Sequence, residues 1–149
     1  MTSIELGSVT VTRLMEWTGP VMTVDAFFPD VDQQIWDANK HWLAPDFWRP
    51  ADDAHPVTLQ TWLLRSDGKN ILIDTGAGRG KQRPTNPAFD QLDTDLLEPL
   101  ADVGLQPDDI DIVVNTHLHI DHVGWNTIQQ DGEWTSTFPN ATYLFPGQT

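Results

Sequence analysis

Three of the chain's five histidines and one aspartate fall within six residues. The segment Thr116-His117-Leu118-His119-Ile120-Asp121-His122-Val123-Gly124 holds His117, His119, Asp121 and His122. Imidazole plus carboxylate is a donor set suited to zinc and similar divalent ions. The chain has no cysteine, so any metal it binds must be held by His and carboxylates. In an extended segment His117 and His119 point to one side and can grip one ion together. Asp121 and His122 lie past the bend, where they can hold a second ion nearby. Two neighbouring ions can trap a water between them and lower its pKa, which makes hydroxide available at neutral pH. The plain alternative is a group of surface or capping histidines with no metal, and the density of donors weighs against it.

Such a loop needs elements to carry it. Ile110 to Asn115 (IDIVVN) directly precedes it and has an apolar second half, as a buried strand would. A loop at the carboxyl end of a strand is where α/β folds place their sites. Upstream, Ser8 to Met15 alternates like a strand. Val57 to Arg65 reads as a strand, Ser66-Asp67-Gly68-Lys69 as a hairpin turn, and Asn70 to Asp74 as the returning strand. A glycine-rich loop, Thr75 to Gly80, follows. Leu92, Leu96, Leu97 and Leu100 recur at helical spacing, with Asp93 or Thr94 near the start and Gly104 as the stop. Ala141 to Phe145 is a further strand. Asp30 to Asn39 predicts a short helix capped by Asp30 or Asp32, with Ile35 and Trp36 facing inward. Lys40 to Pro56 carries Pro45, Pro50 and Pro56 among Trp42, Phe47 and Trp48. Prolines that dense oppose regular structure, while the aromatics oppose disorder, so an ordered irregular arm is expected. The order of elements is mixed α/β.

Composition narrows the partners. With 22 Asp and Glu against 8 Lys and Arg, the net charge is -14. That field repels phosphate backbones and anionic membranes, so a small-molecule substrate is expected, with neither nucleic acid nor membrane as partner. No apolar stretch is long enough to span a bilayer, and the first residues show no basic region followed by an apolar run. The expected compartment is the cytoplasm.

The loop resembles the signature of the metallo-β-lactamase superfamily, His-x-His-x-Asp-His. Ile71-Leu72-Ile73-Asp74-Thr75-Gly76 is similar to that family's upstream strand ending in Asp-Thr-Gly, and Thr116-His117 to the Thr-His that opens its signature. Val123-Gly124-Trp125-Asn126 resembles its lactonase, arylesterase and organophosphate-hydrolase branch. The resemblance covers most of Val57 to Phe145. It implies an αββα sandwich of which these residues are the first half: one incomplete domain over 1–149, with 1–56 an N-terminal strand plus a Pro/Trp-rich arm and 57–149 the half that bears the metal loop. It implies a metal-activated hydroxide acting on an ester, lactone or similar electrophile. His117 and His119 would bind one metal, Asp121 and His122 the other, with zinc foremost and manganese, iron or cobalt also accepted by these donors. Asp121 would also move a proton to the leaving group. Asp74 would brace the histidine loop without touching metal, a turn-capping role being its alternative.

The chain departs from the family where that site is completed. No histidine follows His122, and the only later aspartate, Asp131, lies in Gln-Asp-Gly-Glu, which reads as a turn. His41 and His55 lie upstream in the arm, where the family has no ligands. Each presumed half-site has two protein ligands, whereas zinc is held well by three or more. The expectation is therefore a fragment of a longer enzyme, its end Pro146-Gly147-Gln148-Thr149 falling just after a strand. A short form completed by a second subunit and a non-catalytic metal-binding or interaction module are the alternatives. Redox chemistry on a single iron, also found in the resembled superfamily, ranks lower because Asp121 and His122 together suit two metals. Trp36, Trp42, Phe47, Trp48 and Trp125 are candidates for an apolar entrance, against the simpler expectation that they pack a core.

Overall fold

Alternating residues of one long strand, Leu59, Thr61 and Leu63, are buried, and that period of two sets one face of the main sheet against a core. The computed structural model describes residues 2–147. Met1, Gln148 and Thr149, on which the reading of the two ends partly rests, lie outside the described residues. Strands β1 (Thr2–Leu6), β2 (Val9–Thr23), β3 (Ala54–Ser66), β4 (Lys69–Ile73), β5 (Ile112–Val114), β6 (Thr127–Gln130), β7 (Glu133–Ser136) and β8 (Thr142–Leu144) form two sheets. Six strands lie in the order β1-β2-β3-β4-β5-β8, and β6 pairs with β7 alone. The β1-β2, β3-β4 and β6-β7 pairs are antiparallel, whereas β4-β5 and β5-β8 are parallel. No helix of the described residues is long and apolar enough to cross a membrane.

The hairpin expected at Ser66–Lys69 forms with Asp67 and Gly68 at its tip, both at positive φ (49° and 72°), the backbone a tight two-residue turn demands. Asp131 and Gly132 repeat this between β6 and β7 (φ 50° and 87°), so Asp131 is in a turn as its neighbours suggest. The β6-β7 hairpin and β1 were not anticipated, because their short polar runs carry little apolar alternation.

The chain divides into two compact units, one of residues 1–17 and 59–149 and one of residues 18–58. The larger unit holds the core Leu14, Leu63, Leu72, Leu96, Leu100, Ile110, Val113, Trp125 and Phe138, each at most 1% exposed. Burying a side chain of that size removes about 2 kcal/mol of unfavourable apolar hydration. The leucine repeat gives a shorter helix than expected: α3 in this unit covers only Leu97–Asp102. Its first amides, Leu97 and Glu98, donate to Asp95 Oδ1, and not to Asp93 or Thr94. Leu92 lies outside it, while Leu96 and Leu100 are fully buried and Gly104 follows at φ 79°.

The smaller unit contains α1 (Val24–Phe27) and α2 (Gln33–Leu43), and its core is Val24, Trp36 and Trp48. Asp32 caps α2 by accepting from the Gln34 amide at 2.8 Å. The helix starts later than expected and continues through Leu43, since the first proline able to stop it is Pro45. Trp36 is buried as expected, but Ile35 is 56% exposed: the small unit has one packed helix face, and Trp36 occupies it. Of the five candidate entrance aromatics, Trp36, Trp48 and Trp125 are core residues, whereas Trp42 and Phe47 are exposed.

Candidate metal centre

Parallel pairing of Ile73 with Val114 brings Asp74 and the start of the histidine loop out at the same end of two neighbouring strands. The Asp74 amide donates to the Val114 carbonyl at 2.8 Å, and Asp74 then turns into the left-handed region at φ 57°. Aspartate tolerates that region better than most residues. Its carboxylate faces the loop. Oδ1 accepts from the Thr116 amide (2.8 Å), both oxygens accept from the Thr116 hydroxyl (3.0 and 2.8 Å), and Oδ2 accepts from His122 Nδ1 (2.8 Å).

That last bond assigns the tautomer of His122. A carboxylate only accepts, so in the neutral ring the proton lies on Nδ1 and Nε2 keeps its lone pair. His122 Nε2 is 3.5 Å from Asp121 Oδ2. Two tetrahedral ligands bound to one zinc at ordinary distances stand roughly 3.3–3.6 Å apart. The pair therefore suits a shared ion. The His117 ring lies 4.5 Å from that of His119 and 3.9 Å from that of His122, centre to centre, so the three imidazoles converge. Among the described residues no three His, Cys, Asp or Glu side chains gather around a single ion position. His41, in the last turn of α2, and His55, which bonds the Phe47 carbonyl through Nδ1 (2.9 Å), belong to the smaller unit.

The loop is irregular, and side chains hold its shape. The His122 carbonyl accepts from the Thr75 amide (2.8 Å), the Thr75 hydroxyl (3.3 Å) and Asn115 Nδ2 (3.0 Å). Asn126 joins both partners, accepting from the Thr75 hydroxyl and donating to Asn115 Oδ1, each at 2.9 Å. Gly124 and Trp125 donate to the Gly76 and Thr75 carbonyls (2.7 and 2.8 Å). Arg83 Nη2 donates to the Ala77 carbonyl at 2.7 Å and to the Ile120 carbonyl, inside the histidine loop, at 2.9 Å. Burial pulls the Arg83 guanidinium below its usual range, against the opposing charges of Glu16 and Asp121.

Sequence reading did not find Glu16 or Arg83. Glu16 did leave a signal: it is two residues beyond Leu14, hence a carboxylate on the core face of a strand. Arg83 left none.

Beside Arg83, Lys81 donates to the Thr127 carbonyl and hydroxyl, both at 2.8 Å, and lies 3.7 Å over the Trp134 ring. Burial, with Arg83 close by, lowers its pKa from 10.5 to about 8. The unfolded chain then keeps this proton to higher pH than the folded protein does. Where the unfolded state binds more protons, stability rises with pH. The Lys81 contribution to stability is thus expected to rise between about 8 and 10.5. Urea unfolding of the wild type and of Lys81→Met at either end of that window checks this: the variant should lack that part of the rise.

The sequence profile of the metallo-beta-lactamase superfamily matches residues 57–147. An N-acyl homoserine lactonase, AiiB, of Agrobacterium fabrum is 29% identical over an alignment of 104 residues that covers 63% of this chain and 38% of the lactonase. A ribonuclease of Thermus thermophilus is 33% identical over 75 residues, 50% of this chain and 14% of the ribonuclease. Among solved structures, the hydrolase AbOPH superposes with a TM-score of 0.69 at 29% identity, over 95% of this chain and 42% of its own. The dizinc quorum-quenching lactonase AidC superposes with a TM-score of 0.71 at 24% identity, over 95% and 43%. The chain spans less than half the length of each of these proteins. With its histidine loop at the carboxyl ends of adjacent parallel strands, this chain belongs to the metallo-beta-lactamase superfamily.

Proposed function

We propose that this chain carries the metal-binding loop of a hydrolase acting on a small ester, lactone or related electrophile. His117 and His119 hold one divalent ion, and Asp121 and His122 hold a second. The observation that carries the reading is the pairing of His122 Nδ1 with Asp74, which aims the bare Nε2 into the space it shares with Asp121. Bound there, two divalent ions would supply Lewis acidity and a water of lowered pKa. The chain's own residues do the rest. Asp74 keeps the proton on the far side of the His122 ring, and Asp121 takes up the proton that the attacking water gives up and passes it to the leaving group. Zinc is the leading ion, in keeping with the donor set and with the dizinc neighbour. The lactonase names among the relatives support an ester or lactone as substrate class. The net charge of -14 favours a small molecule over nucleic acid, although one relative is named a ribonuclease.

The two donors per ion given by this loop leave further ligands to be supplied from outside these residues, by more chain or by a second subunit. Metal content per chain and melting temperature with and without zinc test this directly. Two ions per chain and a zinc-dependent rise in melting temperature support the reading, and lactone, aryl ester and phosphotriester assays then decide the substrate. A chain that binds two ions tightly and cleaves none of these would be a metal-binding module without turnover. A chain that takes up no metal would sink the assignment for these residues alone.

A further inference from the structure

The charged residue most deeply placed in the larger unit is Glu16 on β2, only 7% exposed. A carboxylate taken out of water is costly unless its lone pairs are satisfied. Here four donors satisfy them. Oε2 accepts from the Ala77 amide (2.9 Å), and Oε1 accepts from the Gly78 amide (2.9 Å), the Thr94 hydroxyl (2.7 Å) and the Trp125 indole N–H (2.7 Å). These donors come from three separated segments: the glycine-rich loop after β4, the stretch before α3 and the residues just past the metal loop. The carboxylate lies hard against the glycine-rich loop, since a Cβ on Gly76 would lie 1.7 Å from Oε2.

Arg83 completes the arrangement. A trans peptide points its N–H and its carbonyl in opposite directions. In the Ala77–Gly78 peptide, Glu16 holds the N–H edge and Arg83 Nη2 holds the carbonyl edge. The same Nη2 reaches the Ile120 carbonyl, one residue from His119 and one from Asp121. Trp125, three residues past His122, is tied to Glu16 directly. The metal loop is thus fastened at its middle by Arg83 and at its exit by Glu16, and both attach to one peptide of the glycine-rich loop. An apolar side chain at position 16 would fill the core but leave all four donors without an acceptor.

We propose that Glu16 and Arg83 are positioning residues for the metal loop, gripping the Ala77–Gly78 peptide from its two edges and so setting where His119, Asp121 and His122 present their donors. The inference rests on the metal-loop reading above for its function, but its mechanical part can be measured without metal.

The test uses Glu16→Gln and Arg83→Gln in the full chain. In Glu16→Gln, whichever way the carboxamide turns, its NH2 faces at least one donor that has no lone pair to offer. Amide hydrogen exchange should speed up at least tenfold at His122, Gly124 and Trp125 in both variants, while the amides of β4 and β5 stay within twofold of the wild type. Zinc affinity should fall about tenfold or more in both. Unchanged exchange at those three amides, or an equal rise in β4 and β5, would overturn the proposal by reducing both residues to general stabilisers. Should Glu16→Gln not fold, Arg83→Gln, whose side chain is only half-buried, decides alone by the same readings. Should the wild type bind no zinc, the metal reading fails by itself, and the exchange pattern still decides whether the two residues position the loop.

Discussion

Asp74→Asn is expected to weaken zinc binding about 10- to 100-fold while leaving the fold intact, the range typical for removing a carboxylate that orients a ligating histidine. Asparagine fits the space and tolerates the left-handed backbone of this position (φ 57°), so the substitution is close to isosteric. What changes is the direction of the hydrogen bonds. The native carboxylate accepts from the Thr116 amide on Oδ1 and from His122 Nδ1 on Oδ2. An amide must turn its NH2 toward one of them. Turned to His122, it donates to Nδ1 and moves the ring proton to Nε2, the atom that faces Asp121. Turned to Thr116, it sets two donors against each other and loosens the start of the loop. Competition with a chelating dye measures the affinity, and nitrogen-15 spectra of the imidazoles read the tautomer. An Asp74→Asn protein that binds zinc like the wild type, with its His122 proton still on Nδ1, would show that Asp74 is only a turn residue.

The second large effect is expected at Gly124. A Cβ there would lie 1.8 Å from the Ala77 carbonyl carbon, 2.0 Å from its oxygen and 2.3 Å from the Gly78 nitrogen. All three atoms are backbone, so no side chain can swing away. The contact belongs to the same seam as the Gly124 amide bond to the Gly76 carbonyl (2.7 Å), and the two loops cannot separate without losing it. Gly124→Ala should cost about 3 kcal/mol or more, at or beyond the upper end for overpacking, and should displace Trp125 from Glu16. Urea unfolding followed by fluorescence reads the stability, and the indole N–H resonance of Trp125 reads the displacement. A loss below about 1 kcal/mol would mean that the seam relaxes easily, and that the histidine loop is less tightly held than its hydrogen bonds indicate.

Much of the candidate site was legible in one dimension because its donors are contiguous. His117, His119, Asp121 and His122 follow one another in a single loop, and the apolar run before them marked the buried strand that delivers it. The β3-β4 hairpin was equally legible, since Asp67-Gly68 meets the backbone demand of a two-residue turn locally. Local rules failed where a neighbour decides. Asp32 capped α2 as expected, but which of Ile35 and Trp36 would be buried depended on where the small core lay, and only Trp36 reached it. The spacing of Leu92 to Leu100 suggested a helix longer than the six residues of α3, because the stretch before it is drawn off by long-range bonds: Thr94 to Glu16, and Arg79 to Thr94 and Asp95.

The amino-acid sequence by itself determined the chemical type of the candidate site, a His/Asp donor set after a buried strand, and with it the family. Tertiary structure alone decided how those donors are aimed. Asp74 and His122 are 48 residues apart, and Glu16 and Trp125 are 109 apart. Parallel pairing of β4 with β5 closes the first distance, and the strand order β2-β3-β4-β5 brings in the second. Ligand identity is a property of single residues and survives in a linear string. A hydrogen bond that orients a ligand is a relation between residues that only folding brings together.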